Sequence, residues 1–324
     1  ALGEKDVNDC IRILEEMADL AVENGLLRTA ARAHNNIGAT MDNQVTDLKS
    51  CRSHYITAAE IYGSIGDVES ILFTMRNIFE NYLELGELLA IEDEVAKLLK
   101  SAAVPENRIQ NFLFEHKPVQ LFYQGDWFAA LEIYRENLHD LSSTEHIERA
   151  SDKRWQIAYV LIELDRFGLI DDLSEAEELL TENIQDNLSL FSSNFGLVFV
   201  YIHQGKLKKA HDYYEKSLST VRNPNHKGFQ YYLRPWIEYE FASAEKRWDD
   251  AIVMCDSIYE TYQQGGYVYN SAIWLINLGE ALLGRAGPGD QERARQTYQQ
   301  SLDMFTEMGA PGYIKVLEER LGKL

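Results

Sequence analysis

The sequence predicts an all-α fold, an α-solenoid of about seven to eight antiparallel helix pairs, from three observations. An apolar stripe of fixed spacing recurs eight times along the 324 residues. Successive copies are about 40 residues apart, which leaves room for one further helix in each gap. Four copies end in a glycine, where a helix closes with a left-handed residue. Such short units cannot bury their own apolar faces, so we expect them to stack.

The repeated helix is clearest in residues 294–309. Counted from Ala294, compact residues stand at offsets 0 and +7, large apolar residues at +4, +8 and +11, and a glycine at +15. This spacing places the packing residues on one face of an α-helix. The eight copies start at residues 10, 51, 91, 130, 176, 210, 251 and 294. The copies at 10, 51, 251 and 294 carry the final glycine.

A second helix is predicted in each gap between copies. In residues 191–218, Leu197, Val198 and Tyr201 line one face, Gly205 makes the turn, and Ala210 starts the repeated helix. The chain therefore divides into helices and helix pairs that follow one another without a domain boundary. In order they cover residues 4–25, 28–66, 68–101, 106–140, 149–186, 188–221, 228–264, 268–308 and 311–322.

This arrangement resembles the tetratricopeptide repeat, whose helix pairs stack into a right-handed superhelix. The segments NNIG and WLINLGEALL are similar to first helices of that family. The long units and the ending LDMFTEMGAPGYIKVLEERL resemble the C-terminal sensor regions of bacterial signal-transducing NTPases and cyclases, of the maltose-operon activator type. We expect residues 1–324 to be one solenoid domain excised from a longer protein, with residues 311–324 as a polar capping helix.

The net charge and the cysteines indicate the cellular location of the protein and the classes of partner that it binds. The net charge of −21 opposes binding to nucleic acid and to anionic membranes. The excess charge either keeps a long surface soluble or attracts a basic partner. The chain has no apolar run long enough for a membrane span, and we expect no signal peptide. Cys10, Cys51 and Cys255 occupy small packing positions of the repeat, so we expect buried free thiols and a cytoplasmic protein.

No catalytic signature is found in the sequence. It contains no phosphate-binding loop, no zinc-protease motif and no nucleophile elbow. The cysteines lack the spacing of a zinc site, and the histidines are scattered singly. We therefore expect no enzymatic activity, no metal and no cofactor.

The family resemblance implies that the first helices line a concave groove, and it identifies the residues that face this groove. Aromatic side chains, which are typical binding anchors, fall in its middle: Trp155, Tyr159, Phe195, Phe199 and Trp236. Polar side chains that would grip or orient a ligand fall at other groove positions: Asn36, Arg76, Asn77, His203 and Glu240. The alternative is that several of the aromatic residues pack between neighbouring units.

These observations predict a binding domain. We expect it to take a protein or peptide segment, or a small effector, into the concave groove as part of a bacterial multidomain signalling or transcriptional regulator. The alternative is a free-standing adaptor that assembles a protein complex. Because solenoid units touch only their neighbours, the particle is expected to be elongated or arched.

Overall fold

Residues 4–42, 47–142, 147–220 and 233–324 are described by a computed structural model, together with their side chains except those of residues 4–6 and 142. The predicted pair boundaries at 221 and 228 lie outside these residues.

Across the described ranges the chain forms sixteen α-helices and no strand. In chain order they are α1 (Glu4–Glu23), α2 (Leu27–Asp42), α3 (Leu48–Ser64), α4 (Val68–Glu84), α5 (Ile91–Ser101), α6 (Glu106–Tyr123), α7 (Trp127–Ser142), α8 (Ile147–Arg166), α9 (Ser174–Gln185), α10 (Leu190–His203), α11 (Leu207–Thr220), α12 (Arg234–Ala244), α13 (Trp248–Gly265), α14 (Val268–Arg285), α15 (Asp290–Met308) and α16 (Pro311–Leu321).

The prediction of an all-α solenoid is confirmed. The eight odd-numbered helices contain the eight predicted copies, and the even-numbered helices α2 to α14 fill the seven gaps between them. Consecutive helices pack on each other from α1 to α11 and from α12 to α16, and the even-numbered helices α8, α10 and α12 also touch in sequence to form a layer. The four predicted glycine stops, at residues 25, 66, 266 and 309, all have positive φ between 68° and 80°.

Glycines of the first helices permit close helix packing. A Cβ atom at Gly38 of α2 would lie 2.7 Å from the ring of Tyr55 in α3. At Gly279 of α14 it would lie 2.7 Å from Cδ1 of Tyr298 in α15. Both tyrosines occupy the +4 position of the repeat and both are buried. The glycines in NNIG and WLINLGEALL are therefore explained by the contact with the following helix.

The cysteines lie where the repeat predicts. Cys51 and Cys255 are fully buried, and Cys10, in the first helix of the chain, is partly buried. None of these three cysteines forms a disulfide. Burial raises the pKa of the Cys255 thiol, so this thiol is uncharged and behaves as a small packing group.

The solenoid closes on itself, and the expectation that only neighbouring units touch is wrong. Helix α14 of the seventh unit packs on α4 of the second. The hydroxyl of Tyr267 donates a hydrogen bond to Oδ1 of Asp42 over 2.7 Å. The backbone N–H of Gly312 donates to the carbonyl of Gln124 over 3.1 Å. Twelve of the eighteen residues of α14 are buried, and a helix that is apolar on all sides requires neighbours on all sides.

The last helix, α16, takes part in this closure. Tyr313 and Leu317 are fully buried, and the ring of Tyr313 meets that of Trp127 edge-on at 4.9 Å. Its exposed side carries Glu318 and Glu319. Its role as a cap of a single domain stays a prediction. Within the described ranges no helix combines the length and apolarity that a membrane crossing requires.

Candidate functional site

Four of the five predicted aromatic residues line one cavity. Trp155 and Tyr159 come from α8, Phe195 from α10 and Trp236 from α12, and the cavity between them has a volume of about 380 Å³. The rings of Trp155 and Tyr159 are stacked at 5.3 Å, and Trp236 stands edge-on to Tyr159 at 5.7 Å. We call this space the aromatic cavity. It exists because three successive first helices lie side by side.

Phe199, the fifth aromatic residue, does not line the cavity. It is 3% exposed and packs against Phe195 at 5.2 Å and Trp236 at 5.5 Å. Its position matches the alternative that an aromatic residue packs between units. Phe199 therefore supports two cavity-lining rings from behind.

The opposite wall of the aromatic cavity comes from the closure of the solenoid. Helix α14 contributes Tyr269, Asn270, Ile273, Trp274 and Asn277 to this wall. No spacing in the sequence predicts this wall, because it depends on a contact between units that are far apart in the chain. The cavity is thus roofed by the seventh unit and is not an open groove.

One end of the aromatic cavity is acidic. Glu80 and Glu84 of α4 line it, and Oε1 of Glu84 accepts a hydrogen bond from the Tyr123 hydroxyl over 2.8 Å. The amide of Asn270 donates to the other oxygen of Glu84. Burial, with the charges of Asp42 and Glu80, raises the pKa of Glu84 to about 8 against these two hydrogen bonds. Burial likewise raises the pKa of Glu80.

The other end of the cavity holds a buried ionic network. Arg166 lies 3.3 Å from Glu163 and 4.0 Å from Glu240, and it donates to the side-chain oxygen of Asn277. Its guanidinium also lies over the Trp236 ring at 5.8 Å. This pairing compensates the buried charges, as a charge removed from water requires.

The predicted residues His203 and Glu240 belong to this network and do not face the aromatic cavity. They line a separate cavity of about 240 Å³ on the far side of Arg166. Nδ1 of His203 lies 2.6 Å from Asp165, and Nε2 lies 3.7 Å from Glu240. Burial lowers the pKa of His203, but these two carboxylates outweigh it and raise the pKa to about 10.

The remaining predicted residues lie towards the N-terminal units. Arg76 lines a polar pocket of about 710 Å³, which shares Glu80 and two further wall residues with the aromatic cavity. Asn36 is exposed in a shallower pocket of about 500 Å³. The amide of Asn77 donates to Asn35 over 3.3 Å. The structure therefore distributes the ten predicted residues over several places, and only four share the aromatic cavity.

Among the described side chains, no group of three or more His, Cys, Asp or Glu residues has the arrangement of a metal site. The fold and the cavity define an all-α repeat protein with an internal cavity that the seventh unit roofs.

Comparison with known proteins gives one match. The family model described as "SNAP: Soluble NSF attachment protein" matches residues 1–73. These are helices α1 to α3 and the start of α4, less than a quarter of the chain, so the match supports the repeat fold and does not assign the whole chain to that family. No match was found among curated proteins. The resemblance to bacterial sensor regions stays a prediction.

Proposed function

We propose that this chain is a non-catalytic binding module that takes a small effector, or a side chain of a partner's peptide segment, into the aromatic cavity. The observation that carries the proposal is the convergence of Trp155, Tyr159, Phe195 and Trp236 on one cavity of about 380 Å³. That volume lies within the usual range for small-molecule pockets, about 300–1,000 Å³. Aromatic walls provide affinity because their apolar surface and that of the ligand are removed from water on binding, and the few polar groups orient the ligand.

The way the cavity is closed supports a sensor role for the module. One wall is formed mainly by α4, α6, α8, α10 and α12 and the other by α14, and Tyr134 of α7 and Tyr262 of α13 also line the cavity. A ligand that touches both walls binds the closed arrangement more tightly than an open one, and it therefore stabilises the closed arrangement. A neighbouring module of a multidomain regulator could then respond to the closure.

The adaptor alternative is favoured by a different surface. Helix α1 exposes Ile13, Leu20 and Val22, each more than half accessible, within the segment that matches the soluble NSF attachment protein family. Ile13 and Leu20 are seven residues apart and lie on one face of this 20-residue helix, and an exposed apolar patch of this kind is typical of a protein-docking surface. In this alternative the module binds a protein partner through its N-terminal units.

The experiment titrates the protein with prodan, a neutral naphthalene dye that fluoresces in apolar surroundings. Trp155→Ala and Trp236→Ala are expected to weaken dye binding by about 2 kcal/mol or more, close to thirtyfold in Kd. Phe128→Ala is the matched control, because Phe128 is an exposed aromatic residue on α7 outside the cavity. Urea unfolding of each variant shows whether the fold is retained.

If the two tryptophan variants bind dye normally but unfold earlier, the aromatic residues are core and the proposal fails. To test the adaptor alternative, the amount of partner protein retained is compared between the wild type and the variants Ile13→Asp and Leu20→Asp. If the variants retain less partner protein but bind the dye unchanged, the adaptor alternative is favoured.

A further inference from the structure

We propose that the aromatic cavity selects an organic cation, the ammonium group of a small molecule or of a lysine side chain in a partner's segment. The inference rests on the proposed function, because it names the ligand class of the same cavity. It is carried by the aromatic rings of the walls, by the charges around them and by the net charge of the chain.

The rings that line the cavity stand at more than one angle. Ten of the residues that line it are aromatic. Trp155 and Tyr159 lie nearly parallel, with 6° between their planes, whereas Trp236 stands at 80° to Tyr159. Tryptophan and tyrosine faces carry negative quadrupole charge and attract cations, and the attraction grows when the cation loses its water. A wall this rich in tryptophan and tyrosine therefore favours a compact ammonium over a neutral group of the same shape.

The charged groups of the wall add to this preference. Glu80, Glu84 and Glu163 line the cavity, and among the described lining residues Arg166 is the single cation. Arg166 is already engaged by Glu163, by Glu240 and by the amide of Asn277. No described cation is paired with Glu84. Because its raised pKa keeps Glu84 largely protonated at pH 7, the negative charge at this end of the wall develops as the pH rises through about 8.

Glu84 attracts a bound cation electrostatically and does not coordinate a metal ion. Both of its oxygens already accept hydrogen bonds, from Tyr123 and Asn270. A small metal ion takes about six oxygen ligands at short distance, which this arrangement does not offer. An organic ammonium needs only the ring faces and a nearby negative charge.

The aromatic cavity adjoins the polar pocket. That pocket, of about 710 Å³, shares Glu80, Val119 and Gln156 with the aromatic cavity. Its wall carries charges of both signs: Glu115, Asp140 and Asp152 beside Arg76, Arg149 and Lys153. With a net charge of −21 the whole chain attracts cations from solution.

The test uses choline and its neutral isostere, in which a tert-butyl group replaces the trimethylammonium group. The two probes have nearly the same shape, so the difference between them reports charge. Binding is followed by calorimetry and by the fluorescence of the cavity tryptophans. We expect choline to bind at least tenfold more tightly. Equal or tighter binding of the isostere would refute the cation preference while leaving the cavity as a binding site, and binding of neither probe would overturn the inference.

A second arm distinguishes the source of the ammonium group. Lysine blocked at both backbone ends is compared with the same molecule acetylated on its side chain. If choline binds more tightly than blocked lysine, the ligand class is a small-molecule ammonium, and the reverse indicates a lysine of a partner segment. Either result, with the tenfold preference for charge, supports the proposal.

Single substitutions distinguish the contribution of the ring faces to choline affinity from that of the carboxylates. Trp155→Phe keeps an aromatic face and should retain most of the affinity for choline. Trp155→Leu should bind choline about tenfold more weakly, with nearly unchanged affinity for the isostere. At pH 9, where Glu84 is charged, Glu84→Gln should bind choline about fivefold more weakly and leave the affinity for the isostere unchanged. Glu60→Gln, an exposed carboxylate on α3 outside the cavity, is the matched control. If Trp155→Leu weakens both probes equally, the ring contributes only apolar area and the inference fails.

The pH dependence gives an independent check. The titratable groups facing Glu84 are Asp42 of α2, Glu80 of α4, Tyr123 of α6, Tyr159 of α8 and Tyr262 of α13. With its pKa near 8, Glu84 becomes fully charged only above that pH. Choline affinity should therefore rise between pH 7 and pH 9 in the wild type, and the rise should be absent in Glu84→Gln. A rise of the same size in the variant would refute the role of Glu84.

Discussion

Substitution of Gly312 by alanine tests the closure of the solenoid at its tightest point. A Cβ atom added to Gly312 would overlap the carbonyl group of Gly125 and lie 2.7 Å from its Cα atom. The obstacle is backbone, which cannot rotate away as a flexible side chain could. Helix α16 would have to move off the turn between α6 and α7, because ordinary contact with a Cβ atom begins at about 3.4 Å.

Two losses determine the size of the effect. Overpacking of a close contact costs about 1–3 kcal/mol. Separation also breaks the hydrogen bond from Gly312 N–H to the Gln124 carbonyl, a net loss of about 1 kcal/mol. The free energy of unfolding should therefore fall by about 2–4 kcal/mol. The edge-on packing of Tyr313 on Trp127 would loosen with it.

The assay is urea unfolding followed by circular dichroism, combined with small-angle scattering. Gly312→Ala should unfold at lower urea and show a larger radius of gyration as the closure opens. Gly322→Ala is the matched control, since its φ is −67° and its nearest obstacle lies 3.3 Å away. Gly125 is less suitable, because its positive φ would add strain of its own. If Gly312→Ala behaves as the control does, helix α16 does not rest on this turn in solution and the closed arrangement is refuted.

Two further predictions concern the buried polar groups. His203 has a folded-state pKa of about 10, above its usual value of 6.5, so its stabilising charge is fully present below pH 6.5 and is lost as the pH rises through about 10. The free energy of unfolding of the wild type should fall by on the order of 3 kcal/mol over this range, because the pairs with Asp165 and Glu240 are broken. In His203→Gln the urea midpoint should not show this fall with pH. If the midpoints of both proteins change with pH in parallel, the pairing is contradicted. Cys51 and Cys255 should react with a thiol reagent only at the rate of unfolding, and rapid labelling of either native thiol would contradict its packing position.

The positions of the helices followed from local spacing. The apolar offsets of the repeat predicted all eight odd-numbered helices, and the glycine stops predicted where four of them end. This succeeded because an amphipathic period and a left-handed closing residue act within one or two turns of helix. The register of the repeat also predicted the buried Cys51 and Cys255.

The candidate site was predictable only in part, for a reason visible in its residues. Trp155, Tyr159, Phe195 and Trp236 were predicted together because successive first helices lie side by side in any such stack. His203 was placed in the groove as well, but its carboxylate partners draw it into the network on the far side of Arg166. Whether a polar side chain turns towards a ligand or a neighbour depends on which charges the fold brings near it.

By itself, then, the sequence determined the class of fold, the number of units and the aromatic side of the cavity. The tertiary structure decided that the solenoid closes, that α14 roofs the cavity and that Glu84 meets Asn270 across 186 positions of chain. The all-round apolar character of α14 indicated that it is buried on every side, but an apolar face is satisfied by any apolar surface. The curvature that brings α14 to α4 accumulates from small rotations at every interface between units, and no local spacing of residues reports their sum.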